Sequence, residues 1–192
     1  MFDVLTYQKG AAVLRMLEQY LGPTVFRDGV RDYLRTHAYA NAETSDLWRS
    51  LGKVSRQPIP EIMNQWVYRP GFPLLTVSLH RGSHLLIRQQ RFTYLNTPPD
   101  SDAHIAPSSG QWRIPVQLAL HTPHGVVLQA ALLDRAEHRI KVPDNLEFAL
   151  LNSGGHGYYR VHYAPDLLRR LLGRLPGGPL RGSARLRGRG TC

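Results

Sequence analysis

Arg69-Pro70-Gly71-Phe72-Pro73 is the stretch on which the reading of this chain turns. A proline lacks the amide hydrogen a helix needs, and it biases the residue before it away from helical backbone. Two prolines around a glycine therefore end one kind of structure and open another. On the upstream side, apolar residues recur every three to four positions. Val13, Leu14, Met16, Leu17, Tyr20 and Leu21 predict a helix over 5–21. Gly22-Pro23-Thr24 stops it, with Thr24 the expected N-cap of a second helix whose stripe is Val25, Phe26, Val30, Tyr33 and Leu34. A turn over 41–45 leads to a third helix capped by Thr44 or Ser45 and carrying Leu47, Trp48, Leu51 and Val54. Pro60 suits the first turn of a fourth, whose face is Ile62, Met63, Trp66 and Val67.

Downstream the period becomes two. Residues 74–80, 84–92, 112–120, 126–133, 139–142, 148–151 and 158–163 read as strands, with turns at 80–83 and 121–125. Short strands with turns between them predict a small antiparallel β-sandwich. Residues 96–110, rich in Pro, Ser and Asp, read as a long polar loop, and 164–175 as the start of another helix. The expected fold class is α+β, divided into a helical part (1–70), a β-sandwich (71–163) and a closing segment (164–192).

Composition fits a globular protein: 42% of the 192 residues are hydrophobic and 20% charged. There is no apolar run of the length a membrane helix needs, so no membrane partner is expected. The N-terminus lacks the basic, then apolar, then small-residue order of a signal peptide. Cys192 is the single cysteine, which fits a reducing, cytoplasmic setting. The net charge of +10 is concentrated at one end, because residues 169–192 hold seven arginines and no acid. Without them 17 basic residues face 14 acidic ones. A Gly/Arg-rich tail attracts any polyanion but supplies no base-reading chemistry, so nucleic acid is not an expected partner.

Motifs for catalysis are sparse. No H-E-x-x-H occurs, and His121-Thr-Pro-His124 has no neighbouring carboxylate, so it reads as a polar hairpin tip. His80 and His84 flank a turn, and His156 sits in a glycine-rich link without phosphate-loop spacing. No serine stands on a G-x-S-x-G elbow. Trp48 and Trp66 lie on apolar helix faces and read as core. Gly10 reads as a close helix contact, since a mid-helix glycine costs about 1 kcal/mol against alanine. Lys9 reads as solvent-facing, and Tyr7 from the pattern alone is an ordinary residue of an amphipathic helix.

A collinear set of short matches says more. Phe2-Asp3, Tyr7-Gln8-Lys9-Gly10-Ala11, Arg15-Met16-Leu17-Glu18, Leu21-Gly22, Phe26-Arg27-Asp28-Gly29 and Tyr33-Leu34 resemble the zinc metallo-aminopeptidases of the gluzincin group. That family includes membrane alanyl and puromycin-sensitive aminopeptidases. The likeness continues through His37-Ala38-Tyr39, Asp46-Leu47-Trp48, Trp66 and Pro70-Gly71-Phe72-Pro73. Gln90-Arg91-Phe92, Trp112-Arg113-Ile114-Pro115, Leu151-Asn152 and Gly157-Tyr158-Tyr159-Arg160-Val161 resemble the family's following β-domain.

The resemblance implies that the helices are the end of a thermolysin-like catalytic domain. It also implies that Tyr7 is the active-site tyrosine, whose phenol steadies the oxyanion as water attacks a peptide carbonyl. The implied activity is removal of N-terminal residues from peptides, with zinc as cofactor in the parent family. The family's H-E-x-x-H, later glutamate ligand and G-x-M-E-N segment lie upstream of its tyrosine, and this sequence contains none of them. The chain therefore reads as a fragment that binds no zinc itself and is inactive alone. The expected partners are the missing catalytic half, or further copies meeting through uncovered helix faces. The alternative expectation is a non-catalytic β-sandwich binding or scaffold module.

Overall fold

The computed structural model describes residues 4–92 and 111–173. The polar loop expected at 96–110 and the arginine tail beyond 173 lie outside them. Four helices come first: α1 (Val4–Leu21), α2 (Pro23–Thr36), α3 (Thr44–Ser55) and α4 (Ile59–Tyr68). Seven strands follow: β1 (Pro73–His80), β2 (His84–Arg91), β3 (Ile114–Thr122), β4 (Gly125–Leu133), β5 (Glu137–Lys141), β6 (Phe148–Leu151) and β7 (Arg160–Tyr163). A final helix, α5 (Pro165–Leu172), closes the described chain. The α+β class holds, and the switch of period falls between Tyr68 and Pro73.

Two helix starts differ from expectation. Gly22, at φ +82°, caps α2 and leaves Pro23 in the first turn, so Thr24 is already helical. Glu43 rather than Thr44 or Ser45 caps α3, through a reciprocal pair in which its carboxylate accepts from the Asp46 backbone and the Asp46 carboxylate accepts from the Glu43 amide at 2.8 Å. This capping box uses acids at both ends, where Ser or Thr is usual at the first position. Pro60 sits in the first turn of α4 as expected.

The strands form two sheets, ordered β5-β2-β1-β7 and β4-β3-β6. Every pair is antiparallel except β1 with β7, which runs parallel from Leu74↔Arg160 to Val77↔Tyr163. The expected sandwich is thus mixed at one edge. The chain reaches β7 from the other sheet through Asn152 and the short turn Ser153–Gly155, instead of by a hairpin. Leu75, Val77, Leu85 and Ile87 face Ile114, Val116, Leu118 and Leu120 in a core that also takes in Leu17, Leu51, Ile62, Met63 and Trp66 from the helices. One buried cluster therefore runs through both the helices and the sheets.

Direct hydrogen bonds stitch the helices to β3 and to Arg113 just before it. The Trp66 indole donates to the Arg113 carbonyl at 3.1 Å, and the Arg113 amide donates to the Gln65 side chain at 2.5 Å. The Gln117 side chain donates to the Gln19 carbonyl at 2.5 Å. Together they hold α1 and α4 at fixed places over the sheet, which sets the position of everything on the outer face of α1.

Candidate active-site face

Tyr7 lies in the second turn of α1, and its side chain is 62% exposed. Residues at i, i+3 and i+7 share one stripe of a helix, so Tyr7, Gly10 and Leu14 line up along the same face. The buried stripe of α1, formed by Val13, Met16 and Leu17, lies against the core. Tyr7 is consequently held on a well-anchored helix with more than half of its surface exposed.

Next to this stripe is a cavity of about 620 Å³ between α1, the α2–α3 segment and α4. Its walls are mainly apolar, with Val13, Leu14, Trp48, Met63, Trp66 and Val67, and its polar members are Lys9, Tyr33, Glu43 and Thr44. Trp48 and Trp66 are core residues, at 6% and 1% exposure, and they also present ring surface to this space.

Gly10 lines the cavity, and a Cβ built on it meets nothing within 4 Å. The expected close helix contact is therefore absent among the described residues. Gly29 of α2 does make one: its Cβ would come within 2.6 Å of Leu51 Cδ2. Lys9 also departs from expectation: its ammonium donates to the Arg69 carbonyl at 3.4 Å, tying α1 to the C-terminal end of α4. A cation there meets the negative end of the α4 dipole and one of its unpaired carbonyls.

Charge on the far side of the cavity is organised around Asp46, which is 8% exposed. Its carboxylate accepts from the Glu43 amide and pairs with Arg49, with His37 Nε2 at 4.0 Å. The Glu43 amide first, then Arg49 and His37, hold this carboxyl below the usual carboxylate range. These contacts cap a helix.

The other singled-out residues take structural places. His80 pairs across the hairpin with His84, whose Nδ1 meets the Ser83 hydroxyl at 2.9 Å. His121 stacks on Phe148 with ring centres 4.0 Å apart, and burial holds its imidazole below the ordinary value. His124 forms part of the tight turn from Thr122 to Gly125. Among the described residues, no three His, Cys, Asp or Glu side chains converge as a metal site would require. These residues do not fit the zinc that the family resemblance implies. No described helix is long and apolar enough to cross a membrane.

The cavity itself was not foreseen from sequence. Its signal was present in the Tyr7, Gly10, Leu14 stripe: a tyrosine, an uncovered glycine and an apolar residue along the flank of the buried stripe.

Comparison with known proteins is consistent along the chain. The peptidase family M1 domain matches residues 1–66. The puromycin-sensitive aminopeptidase of Caenorhabditis elegans is 35% identical over 176 residues, covering 89% of this chain and 18% of that protein. The glutamyl aminopeptidase of Bitis rhinoceros is 34% identical over 173 residues, with 88% and 18% covered. The thyrotropin-releasing hormone-degrading ectoenzyme of Rattus norvegicus is 34% identical over 172 residues, with 84% and 16% covered. The chain thus spans less than a fifth of the length of these three relatives, and both its helices and its sheets lie within the aligned share. The helical third of the chain matches the family's own domain and the strands after it align with aminopeptidases, so the chain belongs to peptidase family M1.

Proposed function

We propose that this chain is the part of a zinc-dependent aminopeptidase that contributes an oxyanion-stabilising phenol, Tyr7, to the hydrolysis of N-terminal residues from peptides. The observation that supports it most is the placement of Tyr7, an exposed phenol on a helix fixed from behind and bordered by an apolar cavity. A phenol O–H can donate a hydrogen bond as well as accept one. Directed at a carbonyl oxygen that gains charge as water attacks, one such donor is worth about 3–4 kcal/mol of transition-state stabilisation. Zinc in such an enzyme acts as a Lewis acid toward the carbonyl and the attacking water. Its ligands and the general base belong, in this proposal, to sequence other than these 192 residues, and no step is assigned to it here. The cavity beside Gly10 is the face on which that remainder closes.

Three further readings belong to the same proposal. The chain by itself does not turn over substrate. Its setting is cytoplasmic, supported by the single cysteine. The helices and the β-sandwich are the last part of a catalytic domain and the domain after it.

The test is a graft. Residues 4–172 replace the matching segment of the nematode puromycin-sensitive aminopeptidase, and release of p-nitroaniline from an aminoacyl-p-nitroanilide is followed. The graft is expected to be active, and Tyr7→Phe to lower kcat about 10²–10³-fold with KM little changed. A Tyr7→Phe graft with unchanged kcat overturns the role given to the phenol. Turnover by the isolated chain in added zinc, abolished by Tyr7→Phe, overturns the claim that it is inactive alone. A graft that folds but stays inactive favours the non-catalytic β-sandwich module.

A further inference from the structure

The ends of the two sheets are not alike. In the β5-β2-β1-β7 sheet one edge, β5, carries Glu137, Arg139 and Lys141, and the other, β7, is four residues long and begins with Arg160. In the β4-β3-β6 sheet the β6 edge is four residues long and runs directly into the turn at Ser153–Gly155. Charge and shortness are the usual ways of keeping a strand edge from pairing with another chain. The β4 edge has neither. It is nine residues long, Gly125-Val-Val-Leu-Gln-Ala-Ala-Leu-Leu133, with no charged residue and no proline. Val126, Val127 and Leu128 are 52%, 49% and 74% exposed.

We propose that the β4 edge pairs antiparallel with the β4 edge of a second copy of this chain, joining two three-stranded sheets into one across a two-fold axis. The register of the hairpin decides which groups are available. Thr122↔Gly125 closes a two-residue turn, so alternation along the ladder turns the backbone N–H and C=O of Val126, Leu128, Ala130 and Leu132 away from β3. Gln129 lies at the centre of the strand. A two-fold axis through it sets Leu128 opposite the second copy's Ala130 and Val126 opposite its Leu132. Both members of each pair then have outward-facing backbone groups. Val127 falls opposite Ala131, so bulky side chains meet small ones, and the two glutamines can each donate and accept at the axis.

Charge argues for a second copy over another partner. No like charges are opposed when this edge meets itself, and it offers no charged group to attract a polar segment. The area sets the strength. One strand edge per copy falls short of the roughly 1,200–2,000 Å² of a stable interface, so the dimer is weak and reversible. The net charge of +10 opposes the approach of two copies, so salt strengthens the pairing. This surface lies on the sandwich and shares no residue with the cavity that Gly10 lines, and the inference does not depend on the proposed function.

Sedimentation of the full chain over a series of concentrations is the first test. The expected weight-average mass rises from 21.7 kDa toward twice that value, and further at higher salt. Leu128→Lys, at an exposed position that leaves the β3 ladder intact, raises the dissociation constant at least about tenfold, because two lysines then meet near the axis. Val67→Lys, beside the cavity, leaves it unchanged. In hydrogen exchange the amides of Val126, Leu128, Ala130 and Leu132 slow as concentration rises. A mass that stays monomeric throughout overturns the proposal. So does a dimer that survives Leu128→Lys, one that is lost to Val67→Lys, or one whose formation leaves those four amides unprotected.

Discussion

Gly10 and Gly29 are both glycines inside helices, and their surroundings give them opposite fates. A Cβ on Gly29 would sit 2.6 Å from Leu51 Cδ2 and 3.1 Å from Leu51 Cα. The side-chain tip could swing away, but the backbone atom cannot. Gly29→Ala therefore loses more to overpacking than it gains in helix propensity, and a net loss of about 1–2 kcal/mol is expected in urea unfolding. Gly10→Ala meets open space and should stabilise the isolated chain by about 1 kcal/mol, the propensity difference alone. If Gly10→Ala destabilises it instead, something packs on Gly10 and the cavity is not open there. Sequence could not tell these two apart, because both lie at helical spacing from apolar neighbours. The difference comes from α3 crossing α2 at Leu51 while nothing described crosses α1 at Gly10. Tyr7 was legible only through its family resemblance, since an exposed tyrosine on an amphipathic helix carries no chemical signature of its own.

The turn between β4 and β5 depends on one imidazole. His138 Nε2 accepts from the amides of both Asp134 and Arg135 at 2.8 Å, with Asp134 Oδ1 at 3.4 Å. Only the neutral ring has a lone pair there, so protonation removes both bonds and sets an N–H against two others. Burial is the main cause that holds this imidazole below its ordinary value, with Arg135 acting in the same direction and Asp134 against it. The sign follows from proton linkage. The unfolded chain takes up the proton first, so this contribution is complete above the unfolded value of about 6.5 and is lost as pH falls from there through the lower folded value. His121, also lowered by burial, adds a loss of the same sign. His138→Gln keeps an acceptor that does not titrate. The stability difference between the two proteins is therefore expected to shift in favour of the variant on going from pH 8 to pH 5. An unchanged difference across that range would show that His138 does not hold the turn. Sequence located both strands to within two residues, but it did not show this bond. A histidine four residues after an aspartate in a strand sequence is unremarkable until the turn brings its ring back over the chain.

Element types and order across the whole molecule followed from periodicity, because the helical stripe and the strand alternation are each long enough to register. What escaped was contact between distant segments: the parallel β1–β7 pair, and the union of helices and sheets in one buried cluster. The break at 69–73 marks a change of secondary structure, and the core passes straight across it. Trp66 is the residue on which this joining converges. Its ring lies 6.4 Å from that of Trp112 and 6.3 Å from that of Tyr158, and its indole donates to Arg113. Trp66→Ala should cost about 3–5 kcal/mol from lost burial and the cavity left behind. The pattern of unfolding matters more than the size of that loss. With a shared core, helix content by circular dichroism and tertiary packing by near-ultraviolet signals should melt together in the unmodified chain, as one transition. If the helical part and the sandwich were independent units, the two signals would separate, and Trp66→Ala would lower only the helical one. Coincident curves that shift together in the variant are the expected result.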